Sequence, residues 1–179
     1  SGGFQNTFGG TSDAFLVKFN ATGIRFWATY YGGTDTEEGY SVATDASGNV
    51  YLAGDTYSPS FVLAAGGFQN SFSGTEGQFL VKFDSSGNRL CATYYGQLHD
   101  EQGNIAVDGC GNVYLGGYTQ SITNISSGGF QNIYGGGSND AYLVKFCTCG
   151  PSAALNISST NLVCSLPCSG TATVASIPA

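Results

Sequence analysis

Four short motifs recur along this chain, 62 to 64 residues apart. GGFQN occurs at 2–6, 66–70 and 128–132, and LVKF at 16–19, 80–83 and 143–146. ATYYG occurs at 28–32 and 92–96, and GNVYL at 48–52 and 111–115. A steady period of this length is the signature of a repeat architecture, in which each unit buries its apolar surface only against its neighbours. The period divides the chain into units near 1–36, 37–98 and 99–150, with a tail over 151–179 that carries none of the four motifs.

Within a unit the pattern predicts four short strands. Runs at 40–44 and 50–54 flank the turn Asp45-Ala46-Ser47-Gly48-Asn49, and runs at 78–83 and 89–95 flank Asp84-Ser85-Ser86-Gly87-Asn88. The next unit repeats this with strands at 104–107, 113–117 and 141–146 around the turn 108–112. Gly-containing turns between β-branched and aromatic runs are hairpin signals. No window of helical length carries a 3.6-residue apolar period. Four antiparallel strands per unit point to an all-β fold of propeller blades, against the rival of an open solenoid of stacked hairpins.

Composition narrows the function. The chain holds 28 Gly, 11 Tyr and 12 Phe, and only 9% charged residues where soluble domains average roughly 25%. Net charge is −7 with five basic residues, which excludes nucleic acid and an anionic membrane surface as expected partners. No apolar run approaches the roughly 20 residues that span a bilayer, so no membrane insertion is expected. Cys91, Cys110, Cys147, Cys149, Cys164 and Cys168 are disulfide candidates suited to an oxidising compartment; their spacing fits zinc poorly. Because the two turns of an up-and-down sheet share one end, Cys110 is expected to bridge to Cys147 or Cys149. Cys164 and Cys168 would close a loop in the tail, leaving Cys91 the remaining partner.

The stretch 39–58, the GGFQN loop, 13–23 and ATYYGG at 28–33 together resemble the bacterial SBBP-type β-propeller repeat over roughly residues 1–150. The resemblance implies bladed propellers in secreted, often very large, surface proteins, and no particular reaction. Residues 157–176 resemble the opening of Cys-containing β-sandwich repeats in gliding-motility adhesins of Bacteroidota, and imply a short Cys-containing β tail that opens a further module.

About nine strands are expected, two to two and a half blades, whereas propellers close with roughly four to eight. Either the chain belongs to a longer polypeptide, as the absent Met suggests, or copies complete one another by strand addition. Expected partners are therefore other blades, copies of the chain, surface proteins or glycans, at an extracellular or cell-surface location.

No catalytic constellation is evident and no cofactor is expected. His99, beside Asp100, is read as part of a polar connection between units, since no nucleophile motif accompanies it. Asp35, Glu37, Glu38, Asp100 and Glu101 are weak Ca²⁺ candidates without an EF-hand spacing. Asp45 and Asp108, with Gly48 and Gly111, are read as turn-building residues. Lys18, Lys82 and Lys145 share one repeat position and suggest a structural pair with a carboxylate, such as a turn aspartate. Phe4, Phe68 and Phe130 of the GGFQN loops are read as repeated plugs between units, and Trp27 as packing between units. The sequons at Asn20, Asn124 and Asn156 matter only in a host that glycosylates them. The expected function is a non-catalytic scaffold or adhesion segment. The alternatives are a self-assembling filament subunit, or a propeller module of a glycan-active enzyme or Ca²⁺-dependent lectin.

Overall fold

The computed structural model describes residues 2–58, 67–71, 74–96, 101–122 and 128–146, excepting the side chains of 101 and 102. Among these, nine strands form three antiparallel sheets. The first pairs β1 (Ala14–Phe19) with β2 (Arg25–Tyr31). The second runs in order through β3 (Glu37–Thr44), β4 (Val50–Thr56), β5 (Gly77–Phe83) and β6 (Arg89–Tyr95). The third holds β7 (Glu101–Val107), β8 (Val113–Thr119) and β9 (Asp140–Phe146). Chain order equals spatial order in every sheet, as in a propeller blade. The strands lie where the motifs place them, and β3, β4, β7 and β8 run two or three residues beyond the runs read from sequence. The architecture is all-β and that of a partial propeller: among the described residues, one four-stranded blade stands between a two-stranded and a three-stranded sheet.

The hairpin turns follow from one local device. In Asp45–Asn49 the Asp45 carbonyl accepts from Gly48 N at 3.0 Å and Asp45 N donates to the Asn49 carbonyl at 3.1 Å. Gly48 closes the turn at φ 79°, where a side chain would be strained, and Gly23, Gly87 and Gly111 do the same in their turns. The aspartate carboxylate then caps the turn interior, accepting from the backbone N–H two and four residues on.

Two apolar layers hold the sheets together. Successive residues of a strand face opposite ways, and both faces of the middle sheet are covered. Leu52, Phe79, Val81, Phe83 and Tyr94 pack against Leu16, Trp27 and Tyr31 of the first sheet. Tyr51, Leu80 and Tyr95 pack against Leu115, Val144 and Phe146 of the third. This two-sided burial explains why LVKF reads as a continuous apolar run and not as an alternating one. Trp27 sits at the first seam, 6.2 Å from the Phe83 ring, and donates from Nε1 to the Ser85 carbonyl at 3.1 Å. The inner strands of neighbouring sheets approach most closely, and Ile105 N of β7 donates to Ser41 Oγ of β3 at 3.1 Å.

Candidate functional site

The middle and third blades each carry a polar cluster at the turn that joins their inner strands. In the middle blade Asp45 Oδ2 accepts from Asn49 Nδ2 at 2.7 Å and Tyr51 Oη at 3.0 Å, and Lys82 Nζ of β5 lies 3.5 Å away. Both charged side chains are buried, and the ammonium also sits 5.0 Å from the Tyr51 ring centroid. In the third blade Asp108 repeats the set with Asn112 Nδ2 at 2.7 Å and Tyr114 Oη at 3.1 Å, while Lys145 stands 5.9 Å from the Tyr114 ring centroid. In the first sheet Lys18 donates instead to the Ser85 carbonyl at 3.1 Å, across the seam.

These contacts set the charge state. Burial alone would raise the Asp45 carboxyl. The hydrogen bonds from Asn49 and Tyr51 and the Lys82 charge outweigh it and hold the carboxyl below its ordinary value. Asp84 and Asp108 are likewise lowered, burial again opposing and the turn hydrogen bonds prevailing. A lowered folded-state value means stability that is present above the unfolded carboxyl range and lost as pH falls through the folded value. The melting temperature of the wild type should therefore drop on acidification below about pH 4. Its advantage over Asp108→Asn should be largest above that pH and shrink below it. An advantage that is flat with pH, followed by thermal melts in matched buffers, would contradict this.

The acidic stretch does not gather. Glu37 points into the protein, accepting from Gly33 N at 2.7 Å and Thr56 Oγ1 at 2.6 Å. Glu38 accepts from the Tyr40 hydroxyl. Asp35 acts through its backbone, its N–H donating to Ser58 Oγ at 2.9 Å and its carbonyl accepting from Thr11 N at 2.8 Å. A carboxylate that does approach Glu37 is Asp13, since a Cβ at Gly32 would run into both. Asp13 is engaged by Gln5 Nε2 at 2.9 Å and by the N–H groups of Gly9 and Gly10. Among the described residues no group of three or more His, Cys, Asp or Glu side chains could hold a metal ion. His99, Asp100, Cys147, Cys149, Cys164, Cys168, Asn124, Asn156 and the tail lie outside the described residues, as does the side chain of Glu101. Cys91 is buried in the second seam and Cys110 is exposed in its turn; the bridges expected of them involve cysteines outside the described residues.

The GGFQN loops do more than plug. Gln5 forms a bridge with Tyr30 on the outer strand β2, and Gln69 one with Tyr94 on β6. The backbone contacts repeat: Gln5 N donates to Thr29 Oγ1 at 2.8 Å and Gln69 N to Thr93 Oγ1 at 2.9 Å, while Tyr30 N and Tyr94 N donate to the Gln5 and Gln69 carbonyls at 3.0 and 2.9 Å. The side chains differ, Gln5 Oε1 accepting from Gly32 N at 3.1 Å and Gln69 Nε2 donating to the Gly96 carbonyl at 2.9 Å. Phe4 and Phe68 lie against the seams and stay partly exposed. Phe4 lies 6.4 Å from the Tyr31 ring with the Arg89 guanidinium 4.1 Å above it, and Phe68 lies 6.3 Å from Tyr95. Both remain more than a third exposed, and Phe130 is fully exposed. The role of glutamine was not legible from sequence, although its recurrence in every GGFQN was the available signal.

Two sheet faces are exposed where their repeat equivalents are buried. On the first sheet Phe15 and Phe19 are 69% and 58% exposed, whereas their repeat equivalents Phe79 and Phe83 are 1% and 0% exposed. On the third sheet Leu143 is 75% exposed, whereas its equivalent Leu80 is 0% exposed. Exposed apolar side chains grouped on a sheet face, as Phe15 and Phe19 are, mark interaction sites.

Comparison with known proteins agrees with the fold. Residues 27–61, which begin within β2 and include β3 and β4, match the SBBP β-propeller repeat. The chain carries an SBBP-type β-propeller repeat. It is similar to the regulatory protein FlaEY of Caulobacter vibrioides, 30% identical over 143 residues, or 79% of this chain and 15% of that protein. It is also similar to an uncharacterized WD repeat-containing protein of Acanthamoeba polyphaga mimivirus, 27% identical over 146 residues, or 76% of this chain and 10% of that protein. The chain thus spans a small fraction of the relatives it matches.

Proposed function

We propose that the chain is a non-catalytic propeller segment of an extracellular or cell-surface bacterial protein, acting as a scaffold or adhesion surface through contacts with proteins or glycans. The observation that carries this reading is how the polar side chains are used. Asp13, Glu37, Asp45, Asp84 and Asp108 each accept several hydrogen bonds from the chain's own turns and loops. The uncommitted surface is aromatic and aliphatic, with Phe15, Phe19, Phe26 and Leu143 exposed. Such a molecule offers binding area and little chemistry. The even cysteine count and the adhesin-like stretch at 157–176 support the surface location. A relative named as regulatory and another named for its WD repeats suit a protein that works by contact.

Fluorescently labelled chain should bind intact bacterial cells or arrayed glycans, retain that binding in EDTA, and release no reducing ends from a polysaccharide panel. Release of sugar would replace the reading with a glycan-active enzyme. Loss of binding in EDTA, restored by Ca²⁺, would replace it with a Ca²⁺-dependent lectin.

A further inference from the structure

Resting on the scaffold reading, we infer that the two uncovered sheet faces are the two halves of one interface, and that the occupant of each is a second copy of this chain docked head to tail. The chain itself supplies the template. Leu16 of the first sheet is buried against the middle-sheet face that carries Phe79, Val81 and Phe83. One period on, Leu80 is buried against the third-sheet face that carries Val144 and Phe146. The next member of this series is Leu143, which is 75% exposed, and the face it should meet is the one that carries Phe15 and Phe19. The counterparts of Leu16 and Leu80 on one side, and of Phe79 and Phe83 on the other, are thus present in one molecule at opposite ends of the stack.

The same step that relates the first sheet to the second, and the second to the third, places the third sheet of one copy on the first sheet of the next. Such a heterologous contact closes into a ring or continues as an open fibre. Two copies closing on each other would stack twice the three sheets of one chain, within the roughly four to eight blades of known propellers. Phe15, Phe19 and Leu143 are apolar, and Lys145, which shares the face of Leu143, already stands over the Tyr114 ring, so most of the contact should resist salt.

The heterologous geometry gives a complementation test by sedimentation velocity. The wild-type chain should show concentration-dependent association that persists in high salt. Phe15→Asp blocks the first-sheet face and Leu143→Asp the third-sheet face. Each variant alone should sediment as a monomer, with dissociation constants raised at least about tenfold. Mixed together they should form a one-to-one complex, since the intact third sheet of one meets the intact first sheet of the other. Both positions are exposed in the single chain, so melting temperatures at high dilution should match wild type. Phe19→Asp provides an independent block of the first face if Phe15→Asp misfolds, and Leu143→Asn one of the third.

A wild-type chain that stays monomeric up to its solubility limit overturns the inference, and so does a mixture of the two variants that fails to associate. The first result would leave the faces to other blades of a longer chain. The second would mean that any self-association uses another surface. A monomeric chain that still binds cells would remove copy docking alone, whereas an assembling chain that cleaves polysaccharide would remove the scaffold reading alone.

Discussion

Asp45→Ala should lower the free energy of unfolding by about 3–5 kcal/mol, because it leaves the buried Lys82 ammonium without its carboxylate. The substitution also strips the turn of its side-chain acceptor for Ser47 N, Asn49 N, Asn49 Nδ2 and Tyr51 Oη. Two comparisons separate these causes. Asp108→Ala removes the same turn hydrogen bonds, but Lys145 stands over the Tyr114 ring and is not in an ion pair with Asp108. Its cost should be smaller, about 1–3 kcal/mol. Adding Lys82→Met to Asp45→Ala should recover part of the loss, since a methionine can fill the space without an unpaired charge. Urea unfolding of the four proteins would measure this. Equal losses for Asp45→Ala and Asp108→Ala would show that the buried ion pair contributes nothing beyond the turn.

Phe83→Ala should cost about 3–5 kcal/mol, while Phe19→Ala, at the same repeat position one unit earlier, should change monomer stability by no more than about 0.5 kcal/mol. Phe83 is fully buried, with Tyr31 at 6.0 Å and Trp27 at 6.2 Å between ring centroids. Truncating it opens a cavity between two sheets. Phe19 faces outward from the first sheet and loses little when shortened, provided that the measurement is made at a dilution where copies do not meet. The pair tests whether burial by a neighbouring blade, and not the strand sequence, decides what each aromatic contributes. Similar losses at both positions would refute that.

The strands were legible because the period repeated them: Arg89–Tyr95 follows from comparing ATYYG at 28–32 with ATYYG at 92–96, without any propensity argument. Incompleteness was legible as well, from counting motifs per unit. The lysine at 82 stood out by recurrence in an acidic chain, and the turn aspartate was a natural partner for it. Contacts that join distant segments with no local pattern were hidden. Gln69 reaches Thr93 across 24 residues and a whole strand, and nothing in GGFQN says which edge it meets. The acidic stretch misled for a different reason. Neighbouring residues of a strand point to opposite sides, so Glu37 turns inward to Thr56 while Glu38 turns to Tyr40. Adjacency in sequence guaranteed that they would part. Which aromatic faces stay bare was equally invisible, because Phe19 and Phe83 occupy identical motifs and differ only in what lies across from them.

The glutamine bridges on β2 and β6 carry a consequence for how the molecule can grow. A bare strand at the margin of a sheet is a template for lateral polymerisation and amyloid. Here a short stretch of the chain's own backbone occupies part of that margin, and the Gln69 amide clips onto the Gly96 carbonyl beside it. Sideways ribbon formation is discouraged at β2 and β6, which favours face-on stacking for the first two sheets.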